Sequence, residues 1–305
     1  MSYRAGFLGL IGQPNAGKSS LMNFLVEEKV SIVSKKPQTT RRRMLGLWSS
    51  DEGQIVFVDA PGLIKAEKGL NNFLAREADE VIAECDALVA VLSVDEKEAA
   101  ANEQTLDLVA KSGKPWVAVV TKADLQDKGH RVLILKDLVA ARQGKAFSIS
   151  VLKGDRDTPE DREILLREFL QLLPESPAPL YDIELFTPET ERTLIAEIIR
   201  EKCFEHLHQE IPFGIAVRII KFDEDAVPVP RLAAEIMVSK DNHKGMVIGK
   251  AGAVLKAIGS DARKDIEKLL GQKIFLEMNV IARDSWTENK RIMKELGYVH
   301  DNKGE

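Results

Sequence analysis

Through the first half of the chain, short unbroken apolar runs alternate with longer stretches whose apolar positions recur every three or four residues. The runs Phe7 to Ile11, Ile55 to Val58, Ala87 to Val94, Trp116 to Val120 and Ala146 to Ile149 predict strands, and 19–27, 70–84, 97–111, 129–141 and 160–172 predict helices. A strand that is apolar along its length is one covered on both faces. The alternation therefore predicts an α/β domain, residues 1–174, on a mostly parallel central sheet. Pro174-Glu-Ser-Pro-Ala-Pro179 ends the pattern, because proline lacks a backbone N–H and stops a helix, and 175–186 is read as a linker.

Beyond the linker the pattern changes. Glu191 to His208 predicts a helix with Leu194, Ile198 and Ile199 inward, opened by Thr187-Pro-Glu as cap and first turn. Phe213 to Phe222 and Leu232 to Ser239 alternate well enough for an antiparallel pair. A helix over Ala253 to Leu270, a strand over Lys273 to Val280 and a tail helix around Thr287 to Leu296 complete a smaller α+β domain, 187–305.

At 305 residues, 44% hydrophobic and 30% charged, the chain has the bulk of a two-domain globular protein. No stretch is long enough to span a bilayer, and the start reads as a strand and not as a signal peptide, so a cytoplasmic location is expected. Cys85 and Cys203 fall in separate helical patterns, which argues for two small buried hydrophobes over a disulfide. The net charge of −5 gives no global attraction to nucleic acid, but residues 231–305 hold 14 Lys and Arg against 11 Asp and Glu, a local net of +3.

Gly12-Gln-Pro-Asn-Ala-Gly-Lys18-Ser19 stands between the first strand and the first helix. Its glycines let backbone amides face phosphates at the positive end of that helix; Lys18 reaches the outer phosphates and Ser19 offers a hydroxyl to magnesium. Asn15, Ala16, Gly17 and Ser20 complete this loop and first turn. Asp59-Ala-Pro-Gly62 ends a strand, where Asp59 can meet magnesium and Gly62 can place an N–H beside the terminal phosphate. Thr121-Lys-Ala-Asp124 ends another strand: Asp124 accepts from guanine N1 and N2, donors that adenine does not offer, and the stem of Lys122 packs near the base. Ser150 and Val151, after the next strand, close over the base through backbone amides. Together these favour GTP over ATP.

Gly249-Lys250-Ala251-Gly252 has the form of a loop that clamps a single-stranded RNA backbone, with Lys250 at a phosphate and Ile248 lining the groove. Lys240, Lys244 and Lys256 extend the positive surface, or serve only as exposed solubilising lysines.

These motifs, in this order, resemble the translation-factor-related GTPases. With Lys36-Pro-Gln-Thr-Thr-Arg41, Ile195-Ala-Glu-Ile-Ile-Arg-Glu-Lys202 and Val247-Ile-Gly-Lys-Ala-Gly252 they resemble the Era family across nearly the whole chain. The resemblance implies a P-loop GTPase domain followed by a type II KH domain, with Mg2+ bound alongside GTP or GDP. It also implies binding to the 3′ region of 16S ribosomal RNA during assembly of the 30S subunit, and it brings peripheral membrane association into view without an obligate oligomer. Thr39 or Thr40 becomes the hydroxyl that senses magnesium and the terminal phosphate, with Thr40 preferred. Asn15 becomes a candidate ligand for K+. Lys18, Thr40 and Gly62 are then the residues at the hydrolytic centre.

Two positions depart from the family. Thr121 stands where Asn is usual, and Val151 where Ala is usual. Leu63 occupies the place of a water-positioning glutamine in some GTPases and cannot orient water, so slow intrinsic hydrolysis is expected. Arg41, Arg42 and Arg43 are read as contacting RNA, protein or the other domain, or as solvating a loop.

Overall fold

The computed structural model describes residues 2–34, 36–64, 68–95, 99–125, 129–150 and 159–298. The chain divides into two compact units, one of 1–66 with 74–188 and one of 67–73 with 189–305.

The first unit holds strands β1 (Arg4–Ile11), β2 (Met44–Ser50), β3 (Gly53–Asp59), β4 (Ala87–Ser93), β5 (Trp116–Thr121) and β6 (Ala146–Ser148). Its helices are α1 (Lys18–Val26), α2 (Leu70–Glu84), α3 (Ala99–Ala110), α4 (Gly129–Ala140) and α5 (Pro159–Leu172). The strands lie in the order β2-β3-β1-β4-β5-β6, all parallel except β2. Every residue of β3 and β4 is buried, as strands covered on both faces must be. Strand succession reverses direction at β1, so the loops leaving the carboxyl ends of β1, β3 and β5 converge at the crevice where such sheets bind ligands.

β2 is an addition to the predicted strands. Its sequence, Met-Leu-Gly-Leu-Trp-Ser-Ser, has neither an unbroken apolar run nor clean alternation; its strand geometry comes from the tight hairpin that pairs Ser50 with Gly53 and Met44 with Asp59. Residues 180–187 are bonded along this edge. Gln54 accepts from Leu180 N and Tyr181 N at 2.8 and 2.9 Å, Leu47 N donates to Phe186 O at 2.8 Å, and Thr187 Oγ1 donates to Leu45 O at 2.6 Å.

The second unit runs α6 (Glu191–His206), β7 (Ile215–Asp223), β8 (Arg231–Val238), α7 (Asp241–Ile248), α8 (Ala253–Leu270), β9 (Phe275–Ala282) and α9 (Lys290–Glu295). β7 and β8 are antiparallel, while β9 joins the other side of β8 in parallel. Ile195, Ile198, Ile199 and Cys203 of α6 meet Ile236 of β8 and Ile258, Ala262 and Ile266 of α8 in one core. The α6 cap is Thr190, whose hydroxyl accepts from Thr193 N at 3.3 Å, and not Thr187. Thr190 stands immediately before the first helical residue with an extended backbone, the geometry a cap needs, whereas the Thr187 hydroxyl is already committed to Leu45.

Both cysteines are buried, and burial pushes each thiol up to about 12. They sit in their cores as protonated hydrophobes.

Candidate functional site

The loop after β1 is shaped by close approach. A Cβ at Gly12 would lie 2.5 Å from the Val91 carbonyl oxygen, so only glycine fits there. Asn15 and Gly17 adopt left-handed backbone (φ 63 and 99), and Gly17 leads into α1. That helix starts with no side-chain cap and no acidic residue in its first turn, which leaves its N-terminal amides for an anion. Lys18, 5% exposed, holds its ammonium 3.1 Å from Gly12 O and 3.0 Å from Gln13 O, inside the loop that would carry the phosphates. Ala16 is fully buried beneath the loop, and Ser20 is half-buried in the first turn of α1.

Three oxygen-bearing side chains meet beside Lys18. Ser19 Oγ donates to Asp59 Oδ2 at 2.6 Å and lies 3.0 Å from Thr40 Oγ1, which is itself 3.4 Å from Asp59 Oδ2. Asp59 is fully buried and its other oxygen, Oδ1, has no hydrogen-bond partner. Burial pushes the Asp59 carboxyl up, and Lys18, Ser19, Ser31 and Thr40 pull against that shift. A buried carboxylate oxygen without a partner, beside two hydroxyls, fits a hard oxygen-seeking cation such as magnesium. Among the described residues no cluster of three or more His, Cys, Asp or Glu offers an alternative metal site.

The geometry separates the two threonines. Thr40 joins Ser19 and Asp59, whereas the Thr39 hydroxyl donates to Lys36 O at 2.9 Å. Gly62 lies against the loop: a Cβ there would stand 2.5 Å from Pro14 N, and Leu63 N donates to Gly12 O at 3.1 Å. The Leu63 side chain packs against the apolar core, so only its main chain faces the loop.

The carboxyl ends of β5 and β6 are tied by Ile149 N to Val120 O at 2.8 Å and Ala123 N to Ile149 O at 3.4 Å. This ties the turn that carries Lys122, whose backbone is left-handed (φ 57), and Asp124 to the strand end that carries the buried Ser150. Val151 lies outside the described residues. Thr121 is 2% exposed, and its Oγ1 is 2.6 Å from Ala16 O and 3.1 Å from Leu92 O. A hydroxyl owns one hydrogen, and here it is spent tying β5 to the phosphate loop. Thr121 thus holds the phosphate loop, and base choice is expected from Asp124, which can accept from guanine N1 and N2. GTP is therefore expected to bind at least about a hundredfold more tightly than ATP. Competition of each nucleotide against a fluorescent GDP tests this, and comparable affinities would refute it.

The second glycine loop joins α7 to α8. Gly249, Ala251 and Gly252 all have positive φ (74, 51 and 78), with the exposed Lys250 among them. Gly249 N and Gly252 N are bonded within the turn, to Gly245 O at 2.8 Å and to Gly249 O at 3.2 Å, which folds the loop tightly and leaves Lys250 exposed at its tip. A groove of about 430 Å³ runs from Gly252 along α8 and β9, lined by Leu255, Lys256, Gly259, Arg263, Leu276 and Met278. A Cβ at Gly259 would lie 2.7 Å from Met278 Cε, so that glycine keeps the groove floor low.

Of the expected RNA-facing residues, Gly252 and Lys256 line this groove. Ile248, half-buried at the end of α7, packs against the same core as Leu255, Leu276 and Met278 and is not among the residues lining this groove. Lys240 precedes α7 as its N-cap residue, and Lys244 lies within that helix. The sequence reading missed Arg263, Leu276 and Met278. The α8 spacing of 252, 256, 259 and 263 was the signal for this stripe, but β9 had to be paired beside it before a groove existed.

Two family models match the chain, a 50S ribosome-binding GTPase over residues 7–122 and a KH domain over 210–286. GTPase Era of Geobacter metallireducens is 38% identical over 301 residues, covering 97% of this chain and 98% of that protein. GTPase Era of Alkaliphilus metalliredigens is 36% identical over 304 residues, with coverage of 98% and 100%. Aquifex aeolicus Era bound to GDP and AlF4− superposes with a TM-score of 0.89 at 31% identity, over 97% of this chain and 100% of that one. Era in complex with MgGDPNP and nucleotides 1506–1542 of 16S ribosomal RNA also gives 0.89 at 31%, over 98% and 100%. The order of motifs, the site geometry and these full-length matches agree: the chain belongs to the Era family of GTPases.

Proposed function

We propose that this protein is a GTP-hydrolysing switch that binds the 3′ region of small-subunit ribosomal RNA and serves 30S assembly. The observation that carries the reading is the presence on one chain of two differently built phosphate cradles. One has Ser19, Thr40 and Asp59 converging at a helix N-terminus; the other is the left-handed turn at Gly249 to Gly252 beside an apolar groove. The related Era structure that holds both MgGDPNP and 16S ribosomal RNA supports assigning nucleotide to the first and RNA to the second. Residues 1–174 would then carry the nucleotide chemistry and 187–305 the RNA grip.

Hydrolysis is attack of water on the γ-phosphorus with loss of GDP, and catalysis is positioning plus charge stabilisation. Lys18 and the loop amides hold the β and γ oxygens, and Gly62 sets its N–H beside the γ-phosphate. Ser19, Thr40 and Asp59 would hold magnesium, which when bound would supply positive charge against the charge developing on the phosphate. Leu63 offers no side-chain base, which keeps intrinsic turnover slow. Ordering of the Thr40 and Gly62 segments by GTP favours the RNA-competent state, and hydrolysis favours release.

RNA affinity measured with GDP and with a nonhydrolysable GTP analogue tests the switch, using a single strand copied from the 3′ end of 16S ribosomal RNA. A difference of at least about fivefold is expected, the lower end of ordinary site-to-site coupling. Equal affinities would sink it. Lys250→Glu in the same assay is expected to weaken RNA by about tenfold or more while nucleotide binding stays unchanged. Unchanged RNA affinity would remove the loop from the interface.

Two finer readings belong here. K+ beside Asn15 predicts faster hydrolysis in potassium than in sodium, and equal rates would dismiss it. No helix among the described residues is long and apolar enough to cross a membrane. Peripheral attachment would therefore have to be a surface event, read out by co-sedimentation with anionic vesicles.

A further inference from the structure

Arg43 stands three residues after Thr40, at the entrance to β2, and reaches three carboxylates of α2. Its backbone N–H donates to Glu77 Oε2 at 3.1 Å and its Nε to the same oxygen at 3.3 Å. Nη2 donates to Glu80 Oε2 at 2.6 Å and Nη1 to Glu84 Oε2 at 2.6 Å. Every nitrogen of the guanidinium is engaged. Glu77, Glu80 and Glu84 recur at three- and four-residue steps along one face of the helix, with side-chain exposures of 5%, 37% and 64%.

Isolated surface ion pairs hold little, but this arrangement differs in two ways. One partner, Glu77, is buried and fixed by the Arg43 main chain as well as its side chain. Three like charges on successive turns also repel one another, and a single planar guanidinium bridges all three; the compact ammonium of lysine could not match that fork. Of the three arginines expected to solvate a loop or to meet a partner, Arg43 is instead used within its own domain.

The chain on either side of this clamp leads to the nucleotide site. Upstream lies Thr40, in the cluster with Ser19 and Asp59; α2 is the helix that follows Asp59 to Gly62. We propose that Arg43 is a positioning residue that couples the Thr40 segment to α2, so that ordering of either by the γ-phosphate is transmitted to the other. The proposal rests on reading Thr40 and Gly62 as γ-phosphate sensors. It adds that their responses are joined through one side chain and are not independent.

Hydrogen exchange of peptides covering 36–43 and 74–84, with GDP and with a nonhydrolysable GTP analogue, tests this on the full chain. In the unaltered protein both segments are expected to gain protection with the analogue. In Arg43→Ala, 36–43 should still gain it and 74–84 should not, and the preference for the analogue over GDP should fall about tenfold. Arg43→Lys should recover little of that preference. Glu80→Gln keeps the shape of the helix face and leaves Arg43 folded on Glu77, and should lower the preference about two- to threefold. Protection of both segments in Arg43→Ala, with the nucleotide preference intact, overturns the coupling and leaves the switch standing. Protection of neither segment in the unaltered protein overturns the switch reading and the coupling with it.

Discussion

Gly62→Ala is expected to lower single-turnover GTP hydrolysis about a hundredfold, the scale of losing one preorganised donor, while GDP affinity changes less than about tenfold. The added methyl would sit 2.5 Å from Pro14 N and 2.7 Å from Pro14 Cα. Both are backbone atoms, with no rotamer to yield, so the 59–63 segment has to lift from the loop. The Leu63 N to Gly12 O bond at 3.1 Å is lost with it. In the proposed mechanism the loop and α1 would hold GDP, whereas the Gly62 amide would serve the γ-phosphate. Rapid-quench hydrolysis beside a fluorescent GDP titration separates the two effects. Equal losses in both would mean that the alanine had displaced the phosphate loop itself, and the γ-phosphate role of Gly62 would fail.

Gly249→Ala is expected to weaken single-stranded RNA binding by about a hundredfold and to leave GTP hydrolysis unchanged. At φ 74 and ψ 175 this residue occupies a region that is essentially glycine's alone, at a cost of about 1–3 kcal/mol for any other residue. The methyl would also stand 2.5 Å from Val254 Cγ2 and 3.0 Å from Val254 N. Ala251, already left-handed without being glycine, leaves the loop little freedom to absorb the change. The relaxed loop would move its backbone and Lys250 away from the place where the RNA backbone is expected to lie. Gly271→Ala is the control. It too has positive φ, in the left-handed helical region (φ 66, ψ 11) at the far end of α8, meets nothing with its methyl, and should cost about 1–2 kcal/mol of stability without changing RNA affinity. If the two variants lose RNA equally, the loop is not the clamp.

The motifs were legible because phosphate chemistry demands particular residue types at fixed spacing. Gly12, Gly17, Lys18 and Ser19 could be assigned before any fold existed, since backbone approach, helix N-terminus and ammonium reach are local properties of eight consecutive residues. The fully buried strands β3 and β4 were equally plain, their apolar runs being what a two-sided burial requires. The strand β2 was not, because an edge strand with Gly46 and a Ser-Ser end carries no period of its own and is held by its partner. The α6 charges were also misleading. Periodicity marks Leu194, Ile198 and Ile199 as the inner face, yet Arg200 is 1% exposed, ion-paired with Glu197 and laid over the ring of Phe204, while Lys202 reaches Asp265 at 3.0 Å. A buried charge is tolerated only where a partner is supplied: the Arg200 guanidinium takes Glu197 from the preceding turn of its own helix, and the Lys202 ammonium takes Asp265 from α8.

By itself, then, the order of residues determined the chemistry of each loop and the class of each domain, because those follow from contacts within one turn or one strand. Tertiary structure decided which of two adjacent hydroxyls joins Ser19 and Asp59, since Thr40 is met by these two from two other elements while Thr39 is held by Lys36. It decided that the Thr121 hydrogen is spent on the phosphate loop at Ala16, and that Arg43 is taken up by α2. Each of these depends on partners distant in sequence, and a side chain's single hydrogen or charge goes to the partner the fold brings within reach.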